Sequence, residues 1–487
     1  MIINLNKEHK QSTSLYDVCI CGAGVAGITI AIELSKYGKK VALFEGGGEE
    51  YSEDSQSIYT GKNTGLAYGG ISYCRLRYLG GTSNHWTGRN MILQPIDFEE
   101  RDFFPLPGWP IKKEELDKQQ KNAFDVLGLH ENSLDAPEIK GLSSSSMKSV
   151  GHGSTPPVRF AKKYNNELLN SKNIDLYINA NLTDIKLNDS FNHVSQLTIK
   201  NFNNRTYKFS GNNIILAMGA IENARVLLNS DSQLPKGVGN HSDFVGRCFM
   251  EHFQLILGSY TVNPENPIWL KDTKLEFFPT DKFVMENKIG TSVISFGKAS
   301  SESYGRLKVI KKALREGFCN SDSLRDMYRS MFNTNCPGDG IITTLCEQSP
   351  NRDSRITLSK EKDSLGQRRI SLHWTVNELD KHTVVTLAKE TAKEFARLDF
   401  GRVKLKDYIL SDKKDVEFNQ GHCHQMGTTR MSKLPENGVV DINSKVFGID
   451  NLFIAGSSVF STSGGVNPTL SIVQLSLRLA EHIVGEK

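Results

Sequence analysis

The chain has 487 residues, 38% hydrophobic and 23% charged, so it is long enough for two domains or one large composite domain and too apolar to be disordered throughout. Its 59 basic residues nearly cancel 55 acidic ones, and the net charge of +4 carries no long basic block, which gives no electrostatic case for nucleic acid or a membrane surface. No run of about 18 consecutive apolar residues occurs, which excludes a typical spanning helix.

The first segment, MIINLNKEHKQSTS, is polar and lacks the apolar stretch of a signal peptide, so a cytoplasmic address is expected. Residues 16 to 20, YDVCI, predict a buried strand, CGAGVAG a glycine turn, ITIAIELSKYG a helix and KKVALFE a second strand. Gly22, Gly24 and Gly27 carry the G-x-G-x-x-G spacing, with Val25 and Ala26 between them. The first glycine allows the tight turn, the second lets backbone approach a pyrophosphate, and the third lets helix and strand pack closely. Glu45 ends the second strand near the spacing of roughly 20 residues expected for a carboxylate that holds a ribose hydroxyl. This pattern predicts a bound dinucleotide, FAD or NAD alike.

Residues 80 to 88, GGTSNHWTG, set His85 and Trp86 at the end of a second glycine turn. FPLPGWPIKKEELDKQQKNAF reads as a turn into a helix that Pro110 helps to start. GLSSSSMKSVGHGSTPP reads as a mobile loop, either a lid or a solvated linker. Residues 176 to 210 alternate as three strands with polar turns, and IILAMGAIENARVLL reads as a buried strand, ending near Ala217 and Gly219, that runs into a helix. In GHCHQMGTTRM, His422 and His424 face one side of an extended segment, but no third ligand is suggested nearby, so no metal site is expected. NLFIAGSSVFSTSGGVNPT ends at Asn467, Pro468 and Thr469, with the proline suited to the first turn of a closing helix. The eight cysteines show neither a CxxC pair nor zinc-ligand spacing and are expected to be buried reduced thiols.

Taken together and in this order, GAGVAG, GGTSNHW, IILAMGAIENARVLL, GHCHQMGTTRM and NLFIAGSSVFSTSGGVNPT resemble the glucose-methanol-choline (GMC) oxidoreductases, a family of FAD-dependent alcohol oxidases and dehydrogenases. The likeness runs from about residue 16 to residue 483 and is weak in the middle third. The C-terminal pattern is similar to the pyranose oxidase and sugar dehydrogenase branch. The resemblance implies an α/β fold, an α+β composite. A Rossmann-type FAD-binding domain would be assembled from residues 1–95, 175–250 and 415–487, with a sheet-based substrate domain from 96–174 and 251–414.

For the cofactor, the resemblance implies contacts from Gly22, Gly24, Val25, Ala26, Gly27 and Glu45, from Leu182 at the adenine, and from Ala217, Gly219, Gly456 and Ser457. It implies that Gly80, Gly81, Thr82, Ser83 and Asn84 wrap the isoalloxazine, with Trp86 as wall packing. His85 stands where some relatives join FAD covalently through its 8α-methyl carbon. Asn467, Pro468 and Thr469 would place a helix N-terminus at the flavin.

The implied activity is oxidation of a hydroxyl of a sugar, cyclitol or other polyol or alcohol to a carbonyl, by hydride transfer to flavin N5, with oxygen or another electron acceptor. His424 matches the family's base, suited by an imidazole pKa near about 6.5. Asn467 matches its partner, which orients the substrate oxygen, while His422 packs or hydrogen-bonds behind the site. Two departures, Gly456 where many members are acidic and Ser461 where proline is common, leave the ribityl and pyrophosphate contacts there open. The fold also hosts a lyase and a decarboxylase, so a non-oxidative reaction is the alternative. A flavin-binding protein without turnover is the third reading, and the intact His424 and Asn467 argue against it.

Overall fold

Apolar residues run almost unbroken through Tyr16–Cys21 and Val41–Phe44, the pattern of strands buried on both faces, and the computed structural model places both inside a parallel sheet. The structure describes residues 2–7, 15–139, 141–142, 146–154, 156–263, 275–298, 340–411 and 421–485, with a few single residues between them. The sheet comprises β1 (Ile2–Asn4), β2 (Tyr16–Cys21), β3 (Val41–Phe44), β4 (Ile174–Ile178), β5 (Gly211–Leu216) and β6 (Leu452–Ile454). Their order is β1-β4-β3-β2-β5-β6, every pair parallel.

Four helices are central to the architecture: α1 (Val25–Lys36), α2 (Gly219–Asn229), α3 (Glu378–Arg397) and α4 (Thr469–Gly485). α1 and α2 start just past the carboxyl ends of β2 and β5, and α4 follows β6. In a parallel sheet those ends share one edge, which is where such folds bind ligands. Ile28, Ile30 and Leu34 of α1 are fully buried against the sheet and α4, each contributing about 1.5–3 kcal/mol. α4 begins one residue later than expected: Pro468 precedes it and its carbonyl accepts from the N–H of Ile472.

Residues after β4 form the expected three-stranded antiparallel meander, Asn181–Leu187, Val194–Lys200 and Thr206–Phe209. A second six-stranded sheet, antiparallel throughout, runs in the order Gly401–Leu405, Phe253–Val262, Gly340–Cys346, Ser292–Lys298, Leu275–Pro279, Met147–Ser149. α3 packs on it, and Phe395 of α3 stacks on Phe296 with ring centroids 5.2 Å apart. The fold class is thus the α/β composite expected.

Two local expectations need correction. Pro110 lies two residues before the N-cap Lys112 of the helix Lys113–Asp117, so it shapes the approach to the helix and not its first turn. The serine-rich stretch 141–157 is not one loop: Met147–Ser149 pairs with Leu275–Pro279, and Gly153–Ser154 pairs with Arg89–Asn90, while residues 143–145 and 155 lie outside the described residues. Sheet pairing across some 130 residues overrode the local loop composition.

Among the described residues no helix is long and apolar enough to cross a membrane. Gly27 is the closest contact between α1 and the glycine turn: a Cβ there would meet the Gly22 carbonyl oxygen at 1.8 Å. Gly27→Ala should therefore cost about 1–3 kcal/mol through overpacking, read as a fall in thermal midpoint. An unchanged midpoint would show that α1 can shift freely.

Candidate active site

A cavity of about 630 Å³ opens at the carboxyl edge of the parallel sheet, a size within the ordinary range of ligand sites. Its wall brings together Gly22, Gly24, Val25, Ala26, Glu45, Gly81, Thr82, Ser83, His85, Trp86, Leu182, Ala217, Gly219, Gly456, Ser457, Asn467, Pro468, Thr469 and His424, drawn from segments scattered over the chain. Three residues expected there lie off the wall. Gly27 is taken up by helix packing. Gly80 turns the chain at φ +89° beside Ala161, and the Asn84 amide donates back to the Leu79 carbonyl at 2.9 Å.

The glycine turn fits a dinucleotide by two different routes. Gly22, at φ +109°, has no room for a side chain because a Cβ would sit 2.5 Å from the Ala217 carbonyl oxygen. Gly24 has the opposite surroundings: a Cβ would meet no protein atom within 4 Å, and the same holds at Gly219 and Gly456, which also line the cavity. The space beside these three glycines is open to the cavity. No side chain caps α1, so its first N–H groups remain available for phosphate oxygens. Glu45 accepts from the N–H of Ala23 at 3.2 Å and of Gly47 at 2.9 Å, and its carboxylate keeps lone pairs for a ribose hydroxyl.

The turn bearing His85 is braced from behind. Ser83 Oγ donates to the Gly80 carbonyl at 2.7 Å, the Arg159 guanidinium reaches the Ser83 and Trp86 carbonyls, and the Trp86 indole donates to the Val158 carbonyl at 2.8 Å. Trp86 is therefore held as wall, while His85 stands exposed to the cavity.

At another part of the wall, hydrogen-bond polarity fixes a protonation pattern. His252 Nε2 lies 2.7 Å from the Gly464 carbonyl oxygen, which can only accept, so Nε2 carries the hydrogen. Its other nitrogen, Nδ1, lies 2.9 Å from His424 Nδ1. Neutral His252 must accept there, so His424 donates from Nδ1 and its Nε2 is left as a bare lone pair. That lone pair faces the Asn467 amide, whose Nδ2 is 3.4 Å away. Asn467 Oδ1 is buried with no partner in the protein.

Burial, first of all, keeps both rings neutral: it lowers His252 to about 4 and His424 well below its ordinary 6.5, helped at His424 by the nearness of the titratable rings of His252 and His422 and of the Arg89 charge. His422, stacked on His424 with centroids 5.0 Å apart, lines the cavity and is also lowered by burial. Burial pushes the Glu251 carboxyl up to about 7, against hydrogen bonds from Tyr68 and from the backbone N–H groups of His424 and His252. Among the described residues no group of three or more His, Cys, Asp or Glu could hold a metal ion.

Several residues that shape the site gave no signal in the sequence. Arg75 pairs with Glu222 at 2.8 Å and Arg225 with Asp363 at 2.5 Å, all four on the cavity wall. Burial raises the Glu222 carboxyl, but Arg225 and Arg75 outweigh it and hold the group below its usual value. Their partners lie up to 147 residues apart, beyond any local pattern.

The cysteine expectation is corrected in part. Cys74 and Cys423 form a disulfide, with Cα atoms 5.4 Å apart, whereas Cys19, Cys21, Cys248 and Cys346 are buried free thiols as expected; Cys319 and Cys336 lie outside the described residues.

Comparison with known proteins agrees with this geometry. The model of FAD dependent oxidoreductases matches residues 17–238 and that of GMC oxidoreductases residues 350–476. The fructose dehydrogenase large subunit of Gluconobacter japonicus is 23% identical over 305 residues, 61% of this chain and 52% of the relative. The 6'''-hydroxyparomomycin C oxidase of Streptomyces lividus is 29% identical over 284 residues, 56% of this chain and 45% of the relative. The chain spans about half the length of the curated relatives it matches. Pyridoxine 4-oxidase from Mesorbium loti shares the fold, with a TM-score of 0.62 at 17% identity, covering 96% of this chain and 99% of that one.

The tautomers are directly measurable. Nitrogen-15 NMR of histidine-labelled protein at pH 7 should show His424 protonated on Nδ1 and His252 on Nε2, both neutral. A hydrogen on His424 Nε2 would reverse the polarity deduced for this wall.

Proposed function

We propose, for a chain that belongs to the GMC oxidoreductase family, the FAD-dependent oxidation of a hydroxyl of a sugar, cyclitol or related polyol to a carbonyl. The observation that carries the reading is the bare Nε2 lone pair of His424 beside the Asn467 amide, in the wall of the cavity that the glycine turn and the α4 N-terminus also line. FAD, when bound, supplies the hydride acceptor. His424 Nε2 takes the hydroxyl proton as general base, and Asn467, which cannot act as a base, orients the substrate oxygen through Nδ2. The unpartnered Asn467 Oδ1 favours a ligand with a further hydroxyl to donate, which a polyol has. Two of the matched relatives are named for fructose and for hydroxyparomomycin C, in keeping with that substrate class.

The parallel sheet, the meander and α4 supply the cofactor half of this reading, approximately residues 1–95, 175–250 and 415–487. The antiparallel sheet supplies the substrate half, approximately 96–174 and 251–414. His85, with its imidazole exposed to the cavity, is the proposed point of covalent attachment for FAD.

Anaerobic mixing of the yellow protein with sugars, cyclitols and simple alcohols should bleach the flavin with a polyol. A panel with no bleaching, while dithionite still reduces the flavin, would sink the proposal. His424→Ala should keep the cofactor and slow reduction by roughly 10²-fold or more. Because the reactive form is neutral His424 and its pKa is held below 6.5, reduction should be on its plateau at pH 6.5 and above and fall only at lower pH. A single-turnover pH profile with its acid limb centred above 6.5 would take His424 out of the role. If His85 carries the flavin, acid-precipitated protein stays yellow; a colourless pellet over a yellow supernatant removes the link.

A further inference from the structure

Cys74 and Cys423, 349 residues apart in sequence, close a disulfide in the wall of the same cavity. Cys423 stands between His422 and His424, so the bond joins the segment that carries the bare imidazole to the turn after Gly69–Ile71. Both residues line the cavity, but they differ in exposure: Cys74 is 3% exposed, whereas Cys423 is an exposed residue. Cys423 also holds its backbone at φ +63°, in the left-handed region that a residue with a side chain rarely adopts. The hydrogen bonds on either side, His422 N–H to the His252 carbonyl at 3.1 Å and His424 N–H to Glu251 Oε1 at 2.5 Å, fix its neighbours, and the disulfide holds the residue between them.

The other four described cysteines offer no comparable chemistry. All are buried, and burial pushes Cys19 up to about 12 and Cys248 to about 11, with Cys21 and Cys346 also well above the usual thiol range. Among the described residues, thiol and disulfide reactivity is therefore confined to one pair, and that pair opens on the cavity.

We propose that the Cys74–Cys423 disulfide is a thiol-exchange site for small thiols entering the cavity, and that its reduction releases the His422–His424 segment from its set position. A thiolate attacks Sγ of Cys423, the more exposed of the two residues. The Cys423–Cys74 bond breaks, and Cys74 leaves as a thiolate that takes a proton from solvent. A second thiol then attacks the mixed disulfide at the sulfur of the first, releasing the Cys423 thiolate, which is protonated. The net change is two thiols oxidised to one small disulfide, with two electrons delivered to the protein pair. With Cys423 freed, its left-handed backbone relaxes and the flanking histidines lose the geometry shared with His252 and Asn467.

Thiol exchange at this pair goes beyond the proposed activity and is measured first without it. The holoprotein, undenatured, is equilibrated in glutathione buffers of graded thiol-to-disulfide ratio, alkylated, and the Cys74 and Cys423 peptides are quantified by mass spectrometry. The pair should titrate together, while Cys19, Cys21, Cys248 and Cys346 stay unlabelled. In parallel, diethyl pyrocarbonate modification of His422 and His424 should be severalfold faster in the dithiol form and return to the original rate on reoxidation. The Cys74→Ser/Cys423→Ser variant should show the faster rate at every glutathione ratio. A pair that resists reduction until the protein unfolds, or one that is reduced with no change in histidine reactivity, overturns the proposal. Where a substrate has been found, turnover should fall about tenfold or more in the dithiol form, as expected of a misplaced catalytic group; unchanged turnover would equally count against it.

Discussion

A carbonyl oxygen cannot donate, and the arrangement of the histidine wall depends on that fact. Gly464 O accepts from His252 Nε2, which forces His252 Nδ1 to accept, His424 Nδ1 to donate, and His424 Nε2 to face the cavity bare. The carbonyl that starts this chain is itself anchored. The Gly464 N–H meets Glu347, and Glu347 is held by a bidentate, fully buried pairing with Arg101 at 2.7 and 2.8 Å. Removing either partner of such a buried pair leaves an uncompensated charge, which costs several kcal/mol, typically about 3–5. The ion pair therefore holds in place the loop from which the His424 tautomer is set.

The two sheets divide the labour that this wall requires. The parallel sheet collects the starts of α1 and α2 at one edge, where a Cβ at Gly24 or Gly219 would meet no protein atom within 4 Å, the kind of edge at which such folds bind phosphate-bearing ligands. The antiparallel sheet carries Glu251 and His252 immediately before its long strand Phe253–Val262, so the strand's pairing register fixes where His252 stands. The isolated bridge between Phe253 and Gly421 then brings the His422–His424 segment alongside. The glycine-lined edge and His252 thus come from different sheets, and the His422–His424 segment beside His252 is the one clasped to Cys74.

What could be read in the sequence was whatever local chemistry encodes: the strand, glycine turn and helix around Gly22, the meander after β4, the helix after Asn467. Each rests on residues within about 30 positions of one another. His252 left no such mark, because MEHF reads as the ordinary entry to a strand and its partner His424 is 172 residues away. The same limit hid the disulfide, whose two cysteines belong to no spaced motif. Gly80 and Asn84 are expected at the ligand from their place in a motif, and in the structure they form and brace the turn. Motif position names the neighbourhood, while the hydrogen-bond partner decides the role.

The role proposed for His424 raises a physical difficulty, since burial that keeps it neutral also makes it a weak proton acceptor. The proposed chemistry resolves it. An alcohol holds its proton tightly until hydride departure turns its carbon into a carbonyl, after which the same proton is strongly acidic, so a weak base placed correctly suffices. Nor does the hydrogen-bond chain carry the proton away. A proton gained at Nε2 can be shared across the Nδ1–Nδ1 contact with His252, but the next atom is a carbonyl oxygen, and the path stops there. In the proposed reaction the proton therefore leaves by the cavity through which it came. The proposed reaction thus asks this wall to be rigid and not conductive, and the Arg101–Glu347 pair and the Cys74–Cys423 clasp both brace it.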